Sequence, residues 1–206
     1  MIRAVGFDLD MTLVDTRRGI EMALLALADE TDRPVDAAAI VAALGPPIAQ
    51  ALSPWFCADE LPEAVQTFRK YMADVGVQNV DALPGAVGAV DAARTAGYEV
   101  VVVTAKIEPL ALATLRHAGI PADRVFGNVW AEEKTAPLRS ARAVCFVGDH
   151  PADMIAARSA SVAAYGVTTG TSTGEELVTA GANHVAESLE AFPSWLATLV
   201  PCHGSY

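Results

Sequence analysis

Short apolar runs alternating with helix-length segments restrict most strongly what this chain can fold into. The β-branched run Tyr98-Glu99-Val100-Val101-Val102-Val103-Thr104 is preceded by helical spacing over 86–96 and followed by helical spacing over 108–118. The rhythm continues as strand 125–129, helix 134–141, strand 143–148, helix 152–160 and strand 162–167. A helix over 174–180, a short strand around 184–185 and a helix over 189–199 complete it. The opening run Ile2-Arg3-Ala4-Val5-Gly6-Phe7 supplies one more strand of the same kind. Near-continuous apolar strands separated by helices imply a parallel sheet covered on both faces, hence an α/β fold.

The segment between the first strand and this rhythm has another character. Ile20, Leu24, Leu27 and Ala28 recur at helical spacing within 18–30, and further helices are expected near 36–44, 47–57 and 62–75. Nothing there alternates with period two, so the insertion reads as all-α. No charged residue occurs from Ala37 to Ala58, a length that would span a bilayer. Gly45-Pro46-Pro47 and Ser53-Pro54 interrupt it, which favours two short helices joined by a loop. The expected division is residues 1–14 and 81–206 as an α/β core, with 15–80 as a helical cap. A chain of 206 residues suits a core of usual domain size with such an insertion.

In an open α/β sheet, ligands bind beyond the carboxyl ends of the strands, and this chain places carboxylates there. Asp8-Leu9-Asp10-Met11-Thr12 runs straight off the first strand. Residues i and i+2 share a face if the strand continues, so Asp8 and Asp10 can converge on one small volume. Two anions so close raise one another's pKa or collect a divalent cation, and hard cations prefer oxygen. Thr104 ends the Val-rich strand, and Lys134 opens a helix. Strand 143–148 breaks at Gly148 and delivers Asp149, with Asp153 one helical turn further on.

This ordered set resembles the haloacid dehalogenase superfamily, in particular its phosphoglycolate-phosphatase-like branch with a small helical cap. The first motif, Asp-x-Asp-x-Thr, matches Asp8, Asp10 and Thr12; the second matches Thr104; the third, a lone lysine, matches Lys134; the fourth matches Gly148, Asp149 and Asp153. The resemblance implies a Rossmann-like doubly wound parallel sheet with an inserted all-helical cap domain. It also implies a Mg²⁺-dependent phosphatase that hydrolyses a small phosphate monoester. In that reading Asp8 is the nucleophile that becomes an aspartyl-phosphate, and Asp10 is the general acid and then the base. The metal ligands would be Asp8, the backbone carbonyl of Asp10, and Asp149. Thr104 and Lys134 would hold phosphoryl oxygens, and Asp153 would orient the groups around the ion. Lys106 rivals Lys134, because the chain has only three lysines and both lie near motif positions.

Two departures from the family pattern bear on the site. Met11 stands where the family usually has Gly, and an ordinary φ is expected there, with the thioether leaning toward the pocket mouth. Ala105 stands where Asn is frequent, which removes a phosphate donor. The cap has no basic residue between Arg33 and Arg69, so Arg17 and Arg18 at the hinge are the expected clamp for the rest of the substrate. His150 is expected at the rim, and Trp55-Phe56 in cap packing.

The net charge of −11 argues against a nucleic-acid partner, which would need clustered Lys and Arg. Cys57, Cys145 and Cys202 lie too far apart for a disulfide framework. Met1-Ile2-Arg3 leads directly into the first strand without a signal peptide, so a cytoplasmic location is expected, away from membranes. The partner is then a small phosphorylated metabolite, and the protein a monomer or homodimer. A phosphomutase shares all four motifs, and a regulatory module that kept the fold without activity is the further alternative. A dehalogenase is disfavoured by Asp10, and a signalling receiver domain by the helical insertion.

Overall fold

A computed structural model describes residues 2–199. Six parallel strands form the main sheet, in the order β5-β4-β1-β6-β7-β8. They are β1 (Ala4–Phe7), β4 (Glu99–Val103), β5 (Arg124–Phe126), β6 (Ala143–Gly148), β7 (Ala163–Val167) and β8 (His184–Ala186). β1 lies between β4 and β6, with Phe7 opposite Val102 on one side and Val147 on the other. From β1 the chain builds outward to β4 and β5, then returns to place β6 on the opposite flank. This reversal opens a crevice at the carboxyl ends of β1 and β6.

Alternation of side chains divides the sheet into two apolar faces. Val5, Phe7, Val100, Val102, Cys145 and Val147 face α5 (Ala86–Thr95), α6 (Glu108–His117) and α10 (Phe192–Leu199). Val103, Phe146 and Ala164 face α7 (Thr135–Ser140), α8 (Pro151–Ala160) and α9 (Gly174–Ala180). Both faces are covered, so the strands carry apolar residues at nearly every position. The doubly wound parallel sheet is as expected.

Between β1 and β4 the chain leaves the sheet. A two-stranded antiparallel ribbon, β2 (Val14–Asp15) with β3 (Asp81–Ala82), brackets the departure. Strands of two residues are too short to show a period-two pattern. Inside the bracket lie α1 (Arg17–Thr31), α2 (Ala37–Val41), α3 (Ile48–Leu52) and α4 (Leu61–Tyr71). A π-helical turn at Met72–Gly76 and a 3₁₀ turn at Val77–Asn79 extend α4 back to the ribbon. These helices pack round a separate core that includes Leu24, Leu27, Leu52, Phe68 and Met72, joined by Leu110 of α6. The uncharged stretch forms two short helices, with Pro47 at the N-cap of the second. No helix among the described residues is long and apolar enough to cross a membrane.

Some boundaries move for local reasons. The helix expected over 47–57 stops at Leu52, where Ser53-Pro54 follows. The strand expected over 125–129 ends at Phe126, because Gly127 must pass the start of α6; a Cβ there would lie 2.3 Å from the amide nitrogen of Glu108. Lys134 closes a 3₁₀ turn (Ala131–Lys134) and caps α7 instead of opening a regular helix. Met11 is a correction: its φ is +59°, in the left-handed region where an ordinary φ was expected. The loop forces it, since the Val14 carbonyl accepts from the Met11 amide at 2.8 Å and the Leu9 carbonyl from the Leu13 amide at 2.9 Å. A side chain in that conformation costs about 1–2 kcal/mol. Burial of the Met11 thioether opposes that cost. Cys57 and Cys145 are free thiols, whereas Cys202 lies outside the described residues.

Candidate active site

The crevice beyond β1 and β6 collects the acidic residues. The Asp8 amide donates to the Val147 carbonyl at 2.8 Å, which extends the β1–β6 pairing by one step and fixes where Asp8 leaves the sheet. Asp149 leaves β6 just past Gly148. Asp153 stands in the first turn of α8, where the capping residue His150 accepts from the Ala152 amide through Nδ1 at 3.1 Å. The His150 amide donates to Asp153 Oδ2 at 3.3 Å. One carboxylate oxygen from each of Asp8, Asp149 and Asp153 lies within 4.8 Å of the others, and all three residues are buried.

One buried cation answers these anions. Lys134 Nζ lies 2.6 Å from Asp153 Oδ1 and 3.0 Å from Asp8 Oδ1. Burial works against its charged form, but Asp153 and Asp8 outweigh that and hold its pKa above the ordinary lysine value. Burial also pushes the Asp8 carboxyl up to about 7; Lys134 opposes the rise, and the neighbouring charges of Asp153 and Asp10 add to it. Asp149 is raised well above the usual carboxylate range, first by burial and then by Asp8 and Asp153. Thr12 Oγ1 donates to Asp149 Oδ1 at 2.9 Å and partly offsets this. Three carboxylates against one ammonium leave two negative charges uncompensated in a buried site. A divalent cation satisfies that deficit in charge, and oxygen donors suit Mg²⁺ in chemistry. The residues present therefore fit the ion that the sequence implies.

The Asp10 side chain lies apart from this triad. Its Oδ1 accepts from Lys106 Nζ at 2.8 Å, and both residues line the same pocket. The two candidate lysines thus hold different posts, Lys134 on Asp8 and Lys106 on Asp10. Thr104 is buried in the pocket wall, and its Oγ1 accepts from the Lys106 amide at 3.2 Å. Its carbonyl accepts from the Val129 amide at 2.9 Å. That bond ties the loop carrying Trp130 and Lys134 to the end of β4. Lys134 is fully buried.

Arg17 and Arg18 are not brought to the pocket. Both are exposed, and Arg17 pairs with Asp15 beside it, two residues along the chain. The insertion instead turns Arg69 into the pocket. Arg69 stands one residue from Phe68 and three from Met72, at the edge of the buried stripe of α4. That spacing was the available signal. His150 lines the pocket, half-buried against the Trp130 ring at 5.1 Å between centroids. Burial lowers its pKa. Gly45 of the insertion presses on this pair; a Cβ there would meet His150 Cδ2 at 2.9 Å.

Two further supports lie in the loop after β7. Thr169 Oγ1 donates to the Met11 carbonyl at 2.5 Å, clamping the strained loop. Gly170 passes so close to Asp149 that a Cβ would lie 1.8 Å from Oδ2. Neither residue carried a sequence signal.

A family model described as haloacid dehalogenase-like hydrolase matches residues 5–167. The Probable phosphatase IndB of Dickeya dadantii (strain 3937) is 33% identical over 193 residues, covering 84% of each chain. Among solved structures, a predicted phosphatase from Clostridium acetobutylicum superposes with a TM-score of 0.80 at 23% identity, covering 96% of this chain and 99% of that one. A predicted phosphoglycolate phosphatase from Haemophilus somnus 129PT gives a TM-score of 0.80 at 20% identity, with 95% and 98% covered.

Proposed function

Since this chain belongs to the haloacid dehalogenase-like hydrolase family, we propose that it is a Mg²⁺-dependent phosphatase acting on a small phosphate monoester through an aspartyl-phosphate at Asp8. The observation that carries this reading is the charge deficit of the floor: Asp8, Asp149 and Asp153 are buried together, with Lys134 as their only close cation among the described residues. Asp8, Asp149 and the backbone carbonyl of Asp10 would hold the ion, and Asp153 keeps Lys134 in place. Bound there, the ion supplies the positive charge that lets an anionic nucleophile approach an anionic phosphoryl group.

A carboxylate needs no base to become a nucleophile, provided that its charge is sustained. In this site burial alone favours the neutral acid, so the surrounding cations decide whether Asp8 can act. A carboxylate oxygen of Asp8 attacks phosphorus, and the ester P–O bond breaks. Asp10 gives its proton to the leaving alkoxide. Water then attacks phosphorus, the P–O bond to Asp8 breaks, and Asp10 takes the proton back. Lys134 and Thr104 hold the phosphoryl oxygens as charge moves in the transition state. Lys106 fixes the direction of Asp10, and the helical insertion serves as the cap that meets the rest of the substrate. The ribbon β2–β3 is its hinge, close to the division at residues 15–80.

The test is a phosphate-release screen over many monoesters, run with Mg²⁺ and with chelator. Turnover that needs Mg²⁺ is the expected result. Turnover unaffected by chelator rules the reading out, and failure on every ester favours a regulatory module. Interconversion of two sugar phosphates without phosphate release points to a phosphomutase.

A further inference from the structure

Resting on the phosphatase reading, we propose that the roof of this pocket selects a monoester with an apolar body and a second anionic group at its far end, held by Arg69. The floor is charged, whereas the roof is apolar apart from Arg69. Ile20 of α1, Ile40 of α2, Ile48 of α3, Phe68 of α4, Met72 of the π-helical turn and Leu110 of α6 line it. These side chains offer no hydrogen bonds. A sugar phosphate would place hydroxyls against them and lose water partners without replacement. A two-carbon ester such as phosphoglycolate would leave most of that wall untouched. An aryl or branched alkyl body covers it and is favoured by the area removed from water.

Arg69 is the one charged group among the pocket-lining residues of the insertion. Lys106 and Lys134 already have carboxylates in the core. Arg69 is half-buried and forms no ion pair among the described residues. A guanidinium so placed presents its planar fork to an incoming anion, and both carboxylate and phosphate match that fork. The chemistry shared by the two is an anionic oxygen pair at the end of the substrate remote from the ester. Arg69, Asp8 and the apolar side chains all line this one pocket.

Steady-state kinetics on matched esters tests the assignment. Carboxyphenyl phosphate and an aryl bisphosphate are compared with phenyl phosphate, phosphoglycolate and a neutral sugar phosphate. The anionic aryl esters are expected to lead, and whichever of them leads identifies the anion. In Arg69→Met the kcat/KM advantage of that ester over phenyl phosphate should fall by about tenfold or more, chiefly through KM. Arg69→Lys should retain part of the advantage. An unchanged ratio in Arg69→Met overturns the proposal, and so does a ranking led by sugar phosphates or phosphoglycolate. If no ester is turned over, calorimetric binding of carboxyphenyl phosphate to Asp8→Asn, with and without Arg69→Met, decides the roof separately from the chemistry. Binding that Arg69→Met weakens by about tenfold supports it, whereas binding that is absent or indifferent to Arg69 ends it.

Discussion

In the sheet half of the pocket the carboxylates are pinned in place although their charge exceeds that of Lys134, whereas in the helical half Arg69 has no carboxylate among the described residues. The floor is held from several directions. Asp8 is fixed by strand pairing, Asp149 by Thr12 and the passing backbone of Gly170, Asp153 by the cap of α8, and Lys134 by two carboxylates. The roof rests on side-chain packing within its own core and touches the sheet domain through few places, among them Leu110 and the Gly45–His150 approach. Groups that do chemistry need fixed geometry, and those that choose a substrate need shape. The two halves differ accordingly.

Substitutions in the floor should therefore act on chemistry, and those in the roof on binding. The largest effect is expected for Asp8→Asn, which should lower kcat by about a thousandfold or more while the fold persists. A circular dichroism melt alongside the assay checks both parts. Equal loss from any roof variant would erase the contrast. Gly170→Ala comes next. Its Cβ has no room beside Asp149, so cation affinity should fall by about ten- to a hundredfold, read by titrating Mg²⁺ against activity and against melting temperature.

The third expectation concerns pH. The unfolded chain releases the Asp8 proton near pH 4, whereas the folded protein without cation retains it up to about 7. Between these values the unfolded state binds fewer protons, so this group makes the cation-free protein less stable as pH rises. Asp149 is shifted in the same direction. Millimolar Mg²⁺ should then raise the melting temperature clearly at about pH 8 and much less at about pH 5. An equal rise at both would show that the ion does not sit on these carboxylates. The smallest effect is expected in the roof. Gly45 has φ +142° and no room for a Cβ, so Gly45→Ala should push the insertion off His150 and Trp130. KM should rise by about three- to tenfold with kcat less affected. A dominant loss of kcat would mean that this contact belongs to the floor.

Much of the floor was legible because it obeys short-range rules. A strand end followed by Asp, a Gly-Asp break and a turn of helix are all written within a few residues. The ordered spacing of Asp8, Thr104, Lys134 and Asp149 also sufficed for the family. The choice between Lys106 and Lys134 was not legible. Both lie near a motif, and only the loop over 127–134 decides which ammonium reaches Asp8. Arg17 looked suitable by position beside the hinge, but Asp15 two residues away takes its charge. Arg69 was passed over because it sits on the border of a helical stripe, where sequence does not say which way a long side chain turns.

Hydrophobic periodicity in this chain determined the parallel sheet, the helical insertion and the placing of carboxylates at strand ends, because each follows from neighbours along the backbone. Only the tertiary structure decided that Met11 must adopt a left-handed φ, that Thr169 and Gly170 close over the site, and that Arg69 rather than Arg17 enters it. Thr169 reaches Met11 across 158 residues of sequence, and Arg69 joins strand ends from both halves of the chain in one pocket. The φ of Met11 follows from hydrogen bonds within its own loop, which hydrophobic periodicity does not record.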